Sequence, residues 1–182
     1  MSGLTKRESL IALLQLAYSG ELAAAYAYRG HWHSVTNPEE RLRIEKIENE
    51  EWHHRNLVGE MLTELNAQPR QLREIRAAII GRTLGVLCHV IGWLAPMYGA
   101  GKLESRNIRE YETAARLARD SGKQEFVDCL LIMAEVEWDH ENYFRERVLS
   151  HRWSERLRLW PQPPPLESIR SDYAKDVPVT DC

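Results

Sequence analysis

Two Glu-x-x-His motifs restrict this chain more than any other feature: Glu51-Trp52-His53-His54 and Glu137-Trp138-Asp139-His140. Each lies in the middle of an apolar helical stripe. Steps of three and four give Ile44, Ile47, Glu51, His54, Val58, Met61 and Leu65 for the first motif. They give Phe126, Leu130, Met133, Glu137, His140 and Phe144 for the second. Only the Glu and the His interrupt either stripe. Residues three apart share one face of a helix, so both can point at one object. The same stepping nearer the N-terminus gives Leu10, Leu14, Ala17, Glu21, Ala24 and Tyr28, with Glu21 as the one acid. Further on it gives Met97, Gly101, Glu104, Ile108, Tyr111, Ala115 and Ala118, with Glu104 as the one acid. The fold must carry four carboxylates and two imidazoles inward.

The punctuation of the chain sets the helices that carry them. A capping box at Thr5-Lys6-Arg7-Glu8 opens a first helix, expected to run to about His33. In "SVTNPEE", Asn37 caps the second helix, Pro38 takes its first position and acids fill its first turn, and this helix reaches about Leu65. "NAQPRQ" breaks the chain, and the apolar stretch of residues 77–101 leads into a third helix ending near Arg119. "RDSGKQ" is a turn in which Ser121 and Gln124 are expected to form a second capping box, and the fourth helix extends to about Ser150. The prolines of "LWPQPPPLES" stop it. Residues 1–155 are therefore read as one helical domain and 156–182 as an irregular or disordered tail.

Facing residues of an antiparallel helix pair are equidistant from the turn between them. The midpoint of Glu21 and Glu51 is position 36, inside "SVTNP", and that of Glu104 and Glu137 falls between 120 and 121, inside "RDSGKQ". Both pairs then lie roughly 22 Å from their turns at the helical rise. No short turn joins the second helix to the third, so a long apolar crossover helix is expected between them. The fold class is all-α, a four-helix bundle. Four buried carboxylates cost far too much without cations. Two helices carrying a Glu, with two carrying Glu-x-x-His, form the arrangement that holds a pair of iron or manganese ions in helical bundles. One imidazole per metal among oxygen ligands suits two iron ions, with manganese as the alternative, better than zinc. The expected metal ligands are Glu21, Glu51, His54, Glu104, Glu137 and His140.

Composition narrows the partners. A net charge of −3 over 182 residues provides no basic excess for nucleic acid. Cys88, Cys129 and Cys182 form no CxxC pair, which fits a reducing compartment and no zinc ribbon or built-in rubredoxin. "MSGLTKRESL" lacks a basic segment followed by an apolar run, so a cytoplasmic location is expected. Residues 83–101 hold no Asp, Glu, Lys or Arg. Their length permits a membrane span, but a span would put the two halves of the ligand set on opposite sides. Two readings stay open: a buried crossover, or an interfacial helix in peripheral contact with the inner face of the membrane.

With these residues in place, "GELAAAYAYRGH" (20–31) resembles the first motif of the demethoxyubiquinone hydroxylase family within the ferritin-like superfamily. The similarity covers roughly residues 10–145. It implies a ferritin-like bundle with Glu21 and Glu104 as terminal ligands and with Glu51 and Glu137 as bridges beside His54 and His140. Tyr111 matches a tyrosine the family places seven residues after its third-helix Glu. The family usually carries a His before that tyrosine, where this chain has Glu110, and ends in an apolar C-terminal helix, where this chain has "PQPPPLESIRSDYAKDVPVTDC".

The activity expected from this resemblance is that of a di-iron monooxygenase. It would use O2 and an external reductant to hydroxylate a small apolar, quinone-like ring, in a homo-oligomer. Ferroxidase chemistry and a rubrerythrin-like peroxidase with an external electron donor are the alternatives. Tyr28 and Tyr111 are the candidate catalytic tyrosines, with Tyr18 as a third tyrosine near the site. Ala24, Ala25 and Gly101 would leave room for a substrate. His53 is either a donor behind a ligand or an exposed residue, and Glu48 a partner of the site or a surface acid. Asp139 or Glu135 could orient an imidazole. His31 and His33 are read as surface residues, and Trp52 and Trp138 as space-filling.

Overall fold

The computed structural model describes residues 4–175, among which there are six α-helices and no strand. These are α1 (Lys6–Ser34), α2 (Pro38–Glu64), α3 (Gln71–Leu87), α4 (Leu94–Asp120), α5 (Val127–Ser150) and α6 (Leu166–Lys175). The chain is all-α, in keeping with a ferritin-like helical bundle. The helices fall into two compact units, Glu8–Tyr98 and Gly99 onward with the short N-terminal segment before Glu8.

In the first unit, Asn37 caps α2 as expected, its Oδ1 accepting from the backbone N–H of Glu39 and Glu40. α2 ends where Asn66 takes a left-handed conformation and Ala67 N–H bonds Leu62 O at 2.9 Å. The crossover helix is α3. It begins at Gln71, earlier than the apolar stretch suggests, and buries only Ala77, Gly81 and Gly85. A methyl group on Gly30 would overlap the backbone of Gly85, and one on Gly81 would overlap Ala23. The lack of side chains is what allows α3 to lie against α1 so closely. The larger side chains Leu72, Ile75, Ile79, Ile80, Leu84 and Val86 are exposed.

Residues 83–101 do not form one helix. α3 stops at Leu87, the chain turns through Gly92 at φ +79°, and α4 starts at Leu94. Trp93 fastens this break to the start of α2 by donating to Glu40 Oε2 at 2.8 Å. α1 is the one helix among the described residues long and apolar enough to cross a membrane, and half of that apolar window is buried in the protein.

In the second unit, α4 is closed off just beyond Asp120 by Gly122, φ +76°, with Lys123 N–H bonded to Ala118 O at 2.8 Å. The expected capping box at Ser121 is not made. Ser121 Oγ turns back to Ala118 O, and a 3₁₀ turn at Gln124–Phe126 leads into α5 instead. The segment after α5 also departs from expectation. Its prolines keep residues 161–165 non-helical, but Leu166–Lys175 forms α6, with Trp160, Ile169 and Tyr173 buried. Arg170 ties α6 to α5 through Glu135 and Asp128. Apolar anchors, rather than local propensity, order this stretch. The rest of the expected tail, residues 176–182 with Cys182, lies outside the described residues.

Candidate metal centre

Each unit builds one trio from two antiparallel helices. In the first, α1 supplies Glu21 and α2 supplies Glu51 and His54. All three are buried, and one ligand atom from each lies within 4.8 Å of the others. In the second, α4 supplies Glu104 and α5 supplies Glu137 and His140, again buried and again with ligand atoms within 4.8 Å of one another. The equal spacing of each carboxylate pair from its turn explains why the side chains arrive at one level. Of the apolar stripe positions read from the sequence, only Ala17 is less than fully buried.

The second trio is electrostatically loaded. Burial raises the Glu104 carboxyl well above its ordinary range, and the neighbouring Glu137 raises it further, while His140 and Asn107 pull the other way. His140 Nδ1 lies 3.7 Å from Glu137 Oε2. Asn107, one turn after Glu104, donates to Glu104 Oε2 at 2.8 Å and lies 3.5 Å from Glu137 Oε2. Two carboxylates forced together out of water repel, and a cation between them converts repulsion into attraction. Carboxylate pairs with one imidazole make an oxygen-rich donor set that fits iron or manganese.

Around the trios, several expectations change. Glu48 is no surface acid: it is buried and accepts from Arg29 Nε at 2.8 Å, Trp32 Nε1 at 2.7 Å and Trp52 Nε1 at 3.1 Å. His31 is buried as well, and its pKa falls to about 4 because burial disfavours the imidazolium. His33 and His53 are exposed. Glu135 is taken up by Arg170, and Asp139 is exposed. Tyr18 packs under the Arg55 guanidinium, 3.6 Å from its ring centre. Tyr28 and Tyr111 are buried, each two helical turns beyond a ligand Glu on the same face. Glu110 is half-buried, with its carboxyl raised by burial, relieved by Arg106 and raised again by Glu137. The space expected at Gly101 is filled by the Trp160 ring.

Sequence reasoning missed Asn107, Glu141, Arg145 and Trp160. Asn107 carried a readable signal, a polar side chain one turn from a buried acid. The others become visible only when the C-terminal segment is seen to dock. Buried Glu141 accepts from Arg145 Nε at 2.8 Å and Trp160 Nε1 at 2.5 Å.

Residues 8–111, more than half of the chain, match a family described as COQ7, ubiquinone biosynthesis protein COQ7. The matched region contains Glu21, Glu51, His54 and Glu104 and ends at Tyr111, before Glu137 and His140. No curated protein and no solved structure gives a match.

Proposed function

The chain belongs to the COQ7 family of ubiquinone biosynthesis proteins, hydroxylases of the ferritin-like di-iron superfamily, and from that premise we propose that it is an O2-dependent di-iron monooxygenase acting on a quinone-like ring. Glu21, Glu51, His54, Glu104, Glu137 and His140 would together hold two iron ions. The observation that carries this reading is the pair of buried trios, each two carboxylates and one imidazole, within a family of di-iron enzymes. When bound, the metal pair supplies the redox chemistry of O2.

The chain's own residues set the conditions. The carboxylates would neutralise the metal charge and the two imidazoles would complete the donor set, while Asn107 restrains Glu104 through a hydrogen bond. The apolar stripes keep water from the reacting atoms. Tyr28 and Tyr111 are the groups proposed to donate or accept hydrogen bonds at the substrate. In the balanced reaction one oxygen atom enters a ring C–H bond to give a hydroxyl and the other leaves as water. An external reductant provides two electrons, and two protons come from solvent.

Peripheral contact with a membrane, at the inner face, belongs to the same proposal. It is supported by the exposed apolar side chains of α3 from Leu72 to Val86, interleaved with exposed Arg76 and Arg82. On this reading the contact would involve α3 as well as the start of residues 83–101.

The test is iron and manganese per chain in protein from metal-supplemented cells, followed by O2 consumption with a methoxy-benzoquinol. Two iron ions per chain, lost in Glu51→Ala and Glu137→Ala, with quinol-dependent O2 uptake and a hydroxylated product, are expected. Folded protein that takes up no Fe(II) would overturn the metal assignment. Fe(II) oxidation with no quinol dependence would move the assignment to ferroxidase.

A further inference from the structure

We propose that Trp160 is a specificity-determining residue for this chain's substrate, a wall that admits a single substituted ring beside Glu104 and His140 and excludes a fused bicyclic one. The inference rests on the hydroxylase reading above.

Gly101 occupies the α4 stripe one turn before Glu104, and Phe144 the α5 stripe one turn after His140. The Trp160 ring stands at this level. A methyl group on Gly101 would overlap its Cζ2 and Cη2 atoms and would meet Phe144 Cβ at 3.0 Å. The indole therefore takes the volume that Gly101 leaves open on the inward face of the ligand helices. Trp160 is 6% exposed, although it belongs to a segment that is not helical.

Packing by itself would need only an apolar ring. Here a buried ion pair is assembled around the indole. Trp160 Nε1 donates to Glu141 Oε1 at 2.5 Å, and Arg145 Nε donates to the same oxygen at 2.8 Å. Arg145 Nη2 then bonds the carbonyls of Trp160 and Pro161 at 3.3 and 3.1 Å. A buried charge pair carries a desolvation cost that is offset only where good geometry and further hydrogen bonds satisfy both charges. All of these arms fix the position and tilt of one ring. Trp138, the residue after Glu137, adds a bond from Nε1 to Pro164 O at 2.9 Å. The segment lies beyond residues 8–111, the region that matches the family.

An indole removed from a packed interior leaves a bicycle-sized space. The test is equilibrium dialysis of iron-loaded and metal-free protein with 2-methoxyphenol and 1-naphthol. Phenols replace quinones so that the Cys88 and Cys129 thiols are not arylated. Wild type is expected to bind 2-methoxyphenol and to bind 1-naphthol at least tenfold more weakly. Trp160→Ala should gain at least tenfold for 1-naphthol, with 2-methoxyphenol competing for the same site and iron content unchanged. Trp160→Phe, which keeps an aromatic ring, should fall between them and covers the case in which the alanine variant does not fold.

An unchanged preference in folded variants overturns the proposal. So does 1-naphthol binding that 2-methoxyphenol does not displace, or loss of iron from both variants. If neither phenol binds wild type or variant, the quinone-like substrate class fails and the inference fails with it.

Discussion

Asn107 Nδ2 donates to Glu104 Oε2 at 2.8 Å, a neutral amide holding a carboxylate whose proton affinity burial and Glu137 have raised. The bond orients one oxygen and leaves the other lone pairs for a cation. Replacing Asn107 by Leu keeps the volume and removes the donor. Fe(II) affinity is expected to fall by about ten- to a hundredfold, read by competition with a chelator, while the circular dichroism spectrum stays that of wild type. Equal affinity would show that the amide does not restrain the ligand.

The crowding of Glu104 and Glu137 makes opposite predictions for the metal-free and metal-loaded states. Glu104→Gln replaces a carboxyl whose charged form burial and Glu137 disfavour, and keeps an acceptor for Asn107. Metal-free variant should unfold about 3 °C above metal-free wild type, near 1 kcal/mol for a chain of this length. Iron should raise the wild-type transition, by about 2.7 kcal/mol at a hundredfold excess over Kd, and leave the variant's unmoved. Calorimetry with and without Fe(II) checks both signs.

Glu48 is a stability residue placed one turn from a ligand. Its carboxylate receives two indoles and the Arg29 guanidinium, which is itself half exposed. Glu48→Ala strands the indole donors of Trp32 and Trp52 and is expected to cost about 2–3 kcal/mol in urea unfolding. Iron stoichiometry should remain that of wild type, because Glu48 serves the α1–α2 joint. Loss of one iron per chain without loss of stability would make it a ligand.

His31 gives the fold a defined acid sensitivity. Its pKa is about 4 in the folded protein against 6.5 as the ordinary value, so the unfolded chain binds this proton first. Stability from this group is complete above about pH 7 and is lost as pH falls from 6.5 towards 4, by about 3 kcal/mol in total. His31→Gln should flatten that part of the stability–pH curve relative to wild type. Parallel curves for the two proteins over pH 4–7 would show that the imidazole is not held neutral.

Much of the fold was legible from residues alone. The caps and turn residues placed α1 and α2 within a residue or two, because Asn37 and Pro38 act on their own neighbours. The α3–α4 junction was not legible, since an uncharged run reads alike as one helix or as two with a break. Trp93 bonding Glu40 Oε2, a partner far away in the chain, accompanies the break.

The sequence by itself determined which side chains each helix turns inward: Glu21, Glu51 with His54, Glu104, and Glu137 with His140. The α-helical period is local, and equal distance from a turn sets the level at which paired helices bring their residues. Only the tertiary structure decided what surrounds them. That Glu48 is buried under three donors, that His31 is held neutral, that α3 turns its small residues inward and its large ones outward, and that Trp160 returns to fill the place of Gly101 all depend on partners distant in sequence. No local pattern encodes such a partner, because burial and charge compensation are settled by whichever surface the folded chain presents.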